Sequence, residues 1–292
     1  MTLKEIVVVS GKGGAGKSTI TAGLSYFLKE NDILVDADVD APNLKILLEP
    51  ELIREEDFYS GKQFKIEQDF CIMCGRCYQE CSFEAIEIVN LNYVIDDVAC
   101  EGCGLCQFLC PVNAISVSDK LTGKKYVSKT KYGFNMVHAL LNPSEENSGK
   151  LVAEIKKIAK NLAKEQNSST IIVDGPPGIG CSTISAISGS DILLLVAEST
   201  ISGLHDMERL IELTKNFKVK RKGFINKFGL NHSIDEKLVN LFESKEIEIV
   251  GYLTFSQNIP QYLKKRINLP EHIDGYKKIF EGLYNRLMEA AG

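Results

Sequence analysis

The 292-residue chain has no run of about 18 apolar residues, so no membrane-spanning helix is expected. It also has no excess of basic side chains: 34 Lys and Arg face 39 Asp and Glu, a net charge of −5. A nucleic-acid-binding surface would leave a basic footprint, so nucleic acid is not an expected partner. Histidine is scarce, and the four residues, His138 and His205 among them, stand singly without metal-ligand spacing. A charged-then-apolar leader with a small-residue cleavage site is missing, which makes a cytoplasmic location the expectation. Low-complexity stretches are absent, and 44% hydrophobic with 25% charged residues is the composition of a soluble globular protein. This length accommodates one or two domains with a sizeable core.

What is present is a regular alternation with one interruption. The apolar, β-branched run "EIVVVS" (5–10) ends in a Gly-rich turn, "STITAGLSYFLKE" (18–30) reads as a helix, and "DILVDAD" (32–38) reads as a second buried strand. Later strands are expected at 170–175, 191–198, 223–226 and 248–253. Helices are expected around 149–165, 203–215, 234–244 and 273–289. The last has Ile279, Phe280, Leu283 and Leu287 on one face, a pattern that fits packing on the core better than a membrane anchor. The fold class implied is α/β: a doubly wound, mainly parallel sheet over 1–60 and 120–292. The interruption, 61–119, reads as a small α+β insert with short strand-like pieces. It holds three basic and nine acidic side chains, a local net of −6, which suits a partner with a basic face.

"GKGGAGKST" (11–19) fits G-x-x-x-x-G-K-[ST] between a strand and a helix. The loop Gly11, Gly13, Gly14, Ala15 and Gly16 would wrap phosphate oxygens with backbone N–H groups. Lys17 would reach the β/γ-phosphates, and Ser18 with Thr19 opens the helix, the Ser18 hydroxyl holding Mg²⁺. Asp36, Asp38 and Asp40 end the second strand, and Asp174 ends "IIVDG" before "PPG", so all four lie where phosphates and Mg²⁺ are expected.

Nine cysteines in a reducing compartment argue for metal rather than disulfides. Cys71, Cys74, Cys77 and Cys81 follow C-x2-C-x2-C-x3-C. Cys100, Cys103, Cys106 and Cys110 repeat that spacing; Pro111 follows the second run and Ser82 the first. Zinc is the alternative to iron–sulfur clusters. Cys181 stands alone and reads as a small residue packed at a helix start.

These motifs resemble those of the MinD/Mrp-superfamily P-loop ATPases with an inserted ferredoxin domain. Lys12 matches the extra lysine of their deviant Walker A loop. The resemblance implies that it reaches the phosphates of a dimer partner, an identical chain or a related ATPase. It likewise implies that Asp38 orients the attacking water, that Asp36 and Asp174 support Mg²⁺, and that "DGPPG" is a switch. Asn226 of "FINKFG" is implied as the adenine contact. The duplicated cysteine run resembles a bacterial-type ferredoxin with two [4Fe–4S] clusters, in which the fourth cysteine crosses over. One cluster is then expected on Cys71, Cys74, Cys77 and Cys110, the other on Cys81, Cys100, Cys103 and Cys106. The implied activity is ATP hydrolysis, slow without a partner and coupled to electron transfer. The alternatives are a cluster-assembly carrier and a MinD/ParA-like positioning switch. The implied cofactors are ATP, Mg²⁺ and the two clusters. Implied partners are a redox or cluster-assembly protein, with no stable membrane association.

Overall fold

The computed structural model describes residues 3–291. From the N-terminus, β1 (Lys4–Ser10), α1 (Lys17–Ser25), β2 (Ile33–Asp36) and α2 (Leu44–Leu48) lead into a long β3 (Glu51–Ile66). The cysteine region follows as α3 (Arg76–Gln79), β4 (Ile86–Val89), β5 (Asn92–Ile95) and α4 (Leu105–Leu109). β6 (Ile115–Lys129) and β7 (Asn135–Leu141) then return to strand–helix alternation through α5 (Ser148–Glu165), β8 (Thr170–Pro177), α6 (Cys181–Ile187) and β9 (Ile192–Glu198). The alternation continues with α7 (Ile201–Thr214), β10 (Lys220–Phe228), α8 (His232–Ser244) and β11 (Glu248–Thr254). Three helices, α9 (Ile259–Lys264), α10 (Leu269–His272) and α11 (Asp274–Ala290), follow.

Two compact units result. The larger comprises Met1–Glu56, Lys124–Leu141 and Asn147–Gly292, and the smaller Asp57–Gly123 with Asn142–Glu146. The smaller unit therefore starts earlier and ends later than the cysteine-bearing stretch 61–119.

Among the described residues, nine strands form one sheet in the order β11-β10-β9-β1-β8-β2-β7-β6-β3. β1 lies between β8 and β9, parallel to both, and β2 lies parallel to β8 and β7. Ile6 to Val9 have no exposed surface, as a strand needs when both faces of its parallel sheet are covered. Because the chain winds outward in both directions from β1, the carboxyl ends of β1, β2 and β8 meet at a topological switch point, where ligands bind in such sheets.

Three sequence expectations change. The helix expected over 18–30 stops at Ser25; Phe27 and Leu28 donate instead to Leu24 and Ser25, the tighter three-residue pattern. β3 gave no apolar alternation because residues 51–55 are exposed and mostly charged, as edge strands are. β7 was not expected either, since His138 interrupts its apolar run.

α11 packs through Phe280, Leu283 and Leu287, all nearly fully buried, whereas Ile279 remains 36% exposed. Phe280→Ala is expected to cost about 3–5 kcal/mol by leaving a cavity. A urea titration with an unchanged slope and a lower midpoint would show it.

Candidate functional site

The nucleotide site is assembled at the carboxyl ends of three strands. A cavity of about 560 Å³ is lined by Gly13, Gly14, Gly16, Lys17, Ser18 and Thr19, and by Lys12, Asp38 and Asp40. Gly16 has φ 89°, a left-handed conformation that favours glycine, and a Cβ there would collide with the Asn226 amide. Gly11 and Ala15 belong to the loop but not to the cavity lining.

Beneath the loop, charge is concentrated. The Lys17 ammonium lies 3.0 Å from Asp174 Oδ1, and both side chains are almost fully buried. The same Oδ1 accepts from the Thr21 hydroxyl at 2.7 Å. Asp174 Oδ2 is buried with no hydrogen-bond donor. Asp36 is the in-register neighbour of Asp174 across β2 and β8. Its carboxylate accepts from the backbone N–H groups of Asp38 and Leu44, each at 3.2 Å. Burial first, and then the Asp174 charge, push the Asp36 carboxyl up to about 8, against the pull of Lys17. Burial likewise raises Asp38. Three carboxylates around one lysine, with one buried oxygen unpartnered, suit a hard divalent cation such as Mg²⁺. Asp36, Asp174 and the Ser18 hydroxyl are the groups that would hold such an ion, directly or through water.

The sign of the Asp36 shift gives a testable pH dependence. The folded protein holds this proton more tightly than the unfolded chain, whose pKa is near 3.8. Stabilisation from the protonated group is therefore present at low pH and lost as pH rises through about 8. Asp38 is shifted the same way. Between about pH 5 and 8, nucleotide-free protein is expected to melt at progressively lower temperature, levelling off above the folded value. Asp36→Asn should remove most of that slope in a calorimetric pH series; an unchanged slope would refute the assignment.

Lys12 borders the cavity, but its ammonium points to the protein's own surface. It pairs with Glu198 Oε2 at 2.6 Å and donates to Ser202 Oγ at 2.7 Å. Glu198 also pairs with Lys227. Burial alone would raise Glu198, yet Lys12 and Lys227 together hold it below the usual carboxylate range. Asn226 lies under the phosphate loop, outside the cavity lining. Its Nδ2 donates to the Ala15 carbonyl at 2.8 Å and its Oδ1 accepts from the Lys227 N–H at 2.9 Å. Both polar ends are therefore in use within the protein.

Sequence reading missed Thr21, Glu198 and Lys227. Thr21 could have been found, since it lies one helical turn after Lys17. Glu198 carries no local signal; it matters only because β9 ends beside the loop.

In the smaller unit the eight clustered cysteines gather around two cavities. Cys71, Cys74, Cys77 and Cys110 line one; Cys81, Cys100, Cys103 and Cys106, joined by Cys77, line the other. Both cavities therefore draw on both runs. The runs also repeat in backbone conformation: Met73 and Gly102, Gly75 and Gly104, and Glu84 and Asn113 are equivalent positions, each with positive φ. Ala114 N–H donates to Cys110 Sγ at 3.2 Å. Burial pushes the Cys106 thiol up to about 11. Among the described residues, no three His, Cys, Asp or Glu side chains converge closely enough to share a single metal ion. Cys181 opens α6 and is exposed, not packed away.

A phosphate-binding loop between β1 and α1, with acids at the ends of β2 and β8, defines a P-loop nucleotide-binding protein on a mostly parallel α/β sheet. The profile of the CobQ/CobB/MinD/ParA nucleotide binding domain matches residues 6–269, and the chain belongs to that family. It is 32% identical to an uncharacterized protein of Methanocaldococcus jannaschii over 98% of this chain and 97% of that one. It is 24% identical to the septum site-determining protein MinD of Thermotoga maritima, over 97% of this chain and 87% of that one. In fold it is similar to MinD of Pyrococcus horikoshii complexed with Mg-ADP. The TM-score is 0.57 at 18% identity, covering 100% of this chain and 98% of that one. No helix among the described residues is long and apolar enough to cross a membrane.

Proposed function

We propose that the chain is an ATP-hydrolysing switch whose nucleotide state governs electron transfer through two [4Fe–4S] clusters in the smaller unit. Bound ATP would lie on the loop Gly11–Thr19, with Lys17 against its phosphates and Asp38 orienting the attacking water. Lys12, released from Glu198, would serve the phosphates of a partner subunit.

The observation that carries the cluster reading is the lining of two cavities by cysteines from both runs. Four thiolates on one zinc share a single centre, whereas on an iron–sulfur cube each takes its own iron. Cysteines that surround a cavity without converging on one point suit the cube. The clusters would supply one-electron redox chemistry.

A core argument agrees. The smaller unit's apolar cluster consists of Phe64, Ile66, Ile86, Ile95 and Ile115, with six of the cysteines packed against it. So small a core rarely holds a unit of this size without a metal or other staple.

The test is the cluster reduction potential, measured anaerobically with ADP and with a non-hydrolysable ATP analogue. A shift of at least about 30 mV, roughly threefold in equilibrium for a one-electron step, supports coupling. Identical potentials and identical rates of partner reduction would sink it. Two other readings remain distinct in outcome. A cluster-assembly carrier would pass labelled iron to apoprotein acceptors. A positioning switch, favoured by the likeness to MinD, would co-sediment with membrane or DNA only in the ATP state.

A further inference from the structure

Away from the phosphate loop, the larger unit holds a second cleft of about 570 Å³, within the size range of small-molecule sites. Three separate stretches build it: Pro42 and Lys45 just after the D-x-D strand, Tyr126, Ser128 and His138 on β6 and β7, and Arg266.

Its wall is flat and uncharged. The His138 ring stacks on Tyr126 with centroids 4.9 Å apart and planes 19° apart. His138 Nε2 lies 3.0 Å from Ser128 Oγ. Burial first, and then Lys45, push the imidazole down to about 4, leaving it neutral near pH 7.

Two cations border this wall. Neither the Lys45 nor the Arg266 side chain forms an ion pair or hydrogen bond among the described residues, and Glu49 is the one acid on the lining. Arg266 has φ 58°, an uncommon backbone for a non-glycine residue. An aromatic platform beside two unpaired cations matches an anion carried on a flat ring.

The cleft also adjoins the nucleotide site. His138 is the in-register neighbour of Asp36 across β2 and β7. Asp36 in turn accepts from the N–H of Leu44, the residue that precedes Lys45 on α2. A ligand drawing on Lys45 therefore acts on a helix tied to the carboxylate beside Asp174.

We propose that this cleft is an effector site for a small organic anion, a carboxylate or phosphate on an aromatic or heteroaromatic ring, felt at the nucleotide site through α2 and Asp36. The inference does not depend on the clusters.

The probe is 1-naphthyl phosphate, added to full-length protein with its nucleotide site saturated by Mg-ADP. Saturable binding is expected, with inorganic phosphate and 1-naphthol each at least about tenfold weaker, because each lacks half of the recognition. Only four histidines are present, so ring-proton resonances are separable, and His138 alone should move. The Lys45→Ala/Arg266→Ala double variant should bind at least about tenfold more weakly. Both side chains are exposed, and an unchanged melting temperature confirms that the variant folds. A His138 resonance unmoved at millimolar probe, or equal affinity in the double variant, would overturn the site. Saturating probe should also change the Mg-ADP dissociation constant at least about twofold, an effect lost in the double variant. An unchanged constant would overturn the effector role.

Discussion

Lys17→Met is expected to lower ATP hydrolysis by at least about 100-fold, the scale on which removing one preorganised donor to a developing charge acts. Lys17 is the buried cation facing Asp36, Asp38 and Asp174, and its ammonium contacts Asp174 at 3.0 Å. Methionine keeps the stem and its packing but withdraws the charge from Asp174. The free protein then carries buried carboxyl groups with no counter-charge, so its nucleotide-free stability falls as well. Phosphate release and titration calorimetry with Mg-ATP measure the two effects. Hydrolysis within tenfold of the unsubstituted protein would refute this placement of Lys17.

If the smaller unit holds the proposed clusters, removing iron from anaerobically prepared protein should unfold it while leaving the larger unit folded. The larger unit has a core of its own, in which Ile6, Leu34, Ile172 and Phe224 have no exposed surface. The apolar cluster of the smaller unit has five buried side chains, and the cysteines complete their packing. Without a group to hold them, thiols at two half-buried cavities have no opposing charge and few partners. Hydrogen exchange is the direct measurement. Chelation should abolish amide protection around Phe64, Ile86, Ile95 and Ile115, and protection in β1 and β9 should stay. Retained protection in the smaller unit would mean that its core suffices without metal, and would remove the structural argument for clusters.

Local pattern carried much of this protein. The apolar run 6–9 had to be a buried strand, and the Gly-rich turn after it had to open a helix. The helices named near 149–165, 234–244 and 273–289 lie within two residues of α5, α8 and α11. Edge elements failed for the opposite reason. The first five residues of β3 are all exposed and show no alternation, and β7 carries a histidine where a run would be apolar. The cysteine runs announced their own duplication, and the backbone repeats it at Gly75 and Gly104. Asn226 is the instructive case at the site. Its motif suggested base contact, but its amide is spent on the Ala15 carbonyl, which only the nearness of β10 to the phosphate loop brings about.

The sequence by itself determined the chemistry available: a lysine in a glycine loop, acids at strand ends, and eight thiols at cluster spacing. These are properties of short segments, fixed by residue type and by distances along the chain. Tertiary structure alone decided which groups meet. Asp36 faces Asp174, Lys12 rests on Glu198, and His138 stacks on Tyr126 beside Lys45 and Arg266. The first two pairs join residues more than a hundred positions apart. A parallel sheet sets such neighbours by strand order and register, and a pattern read along one strand contains neither.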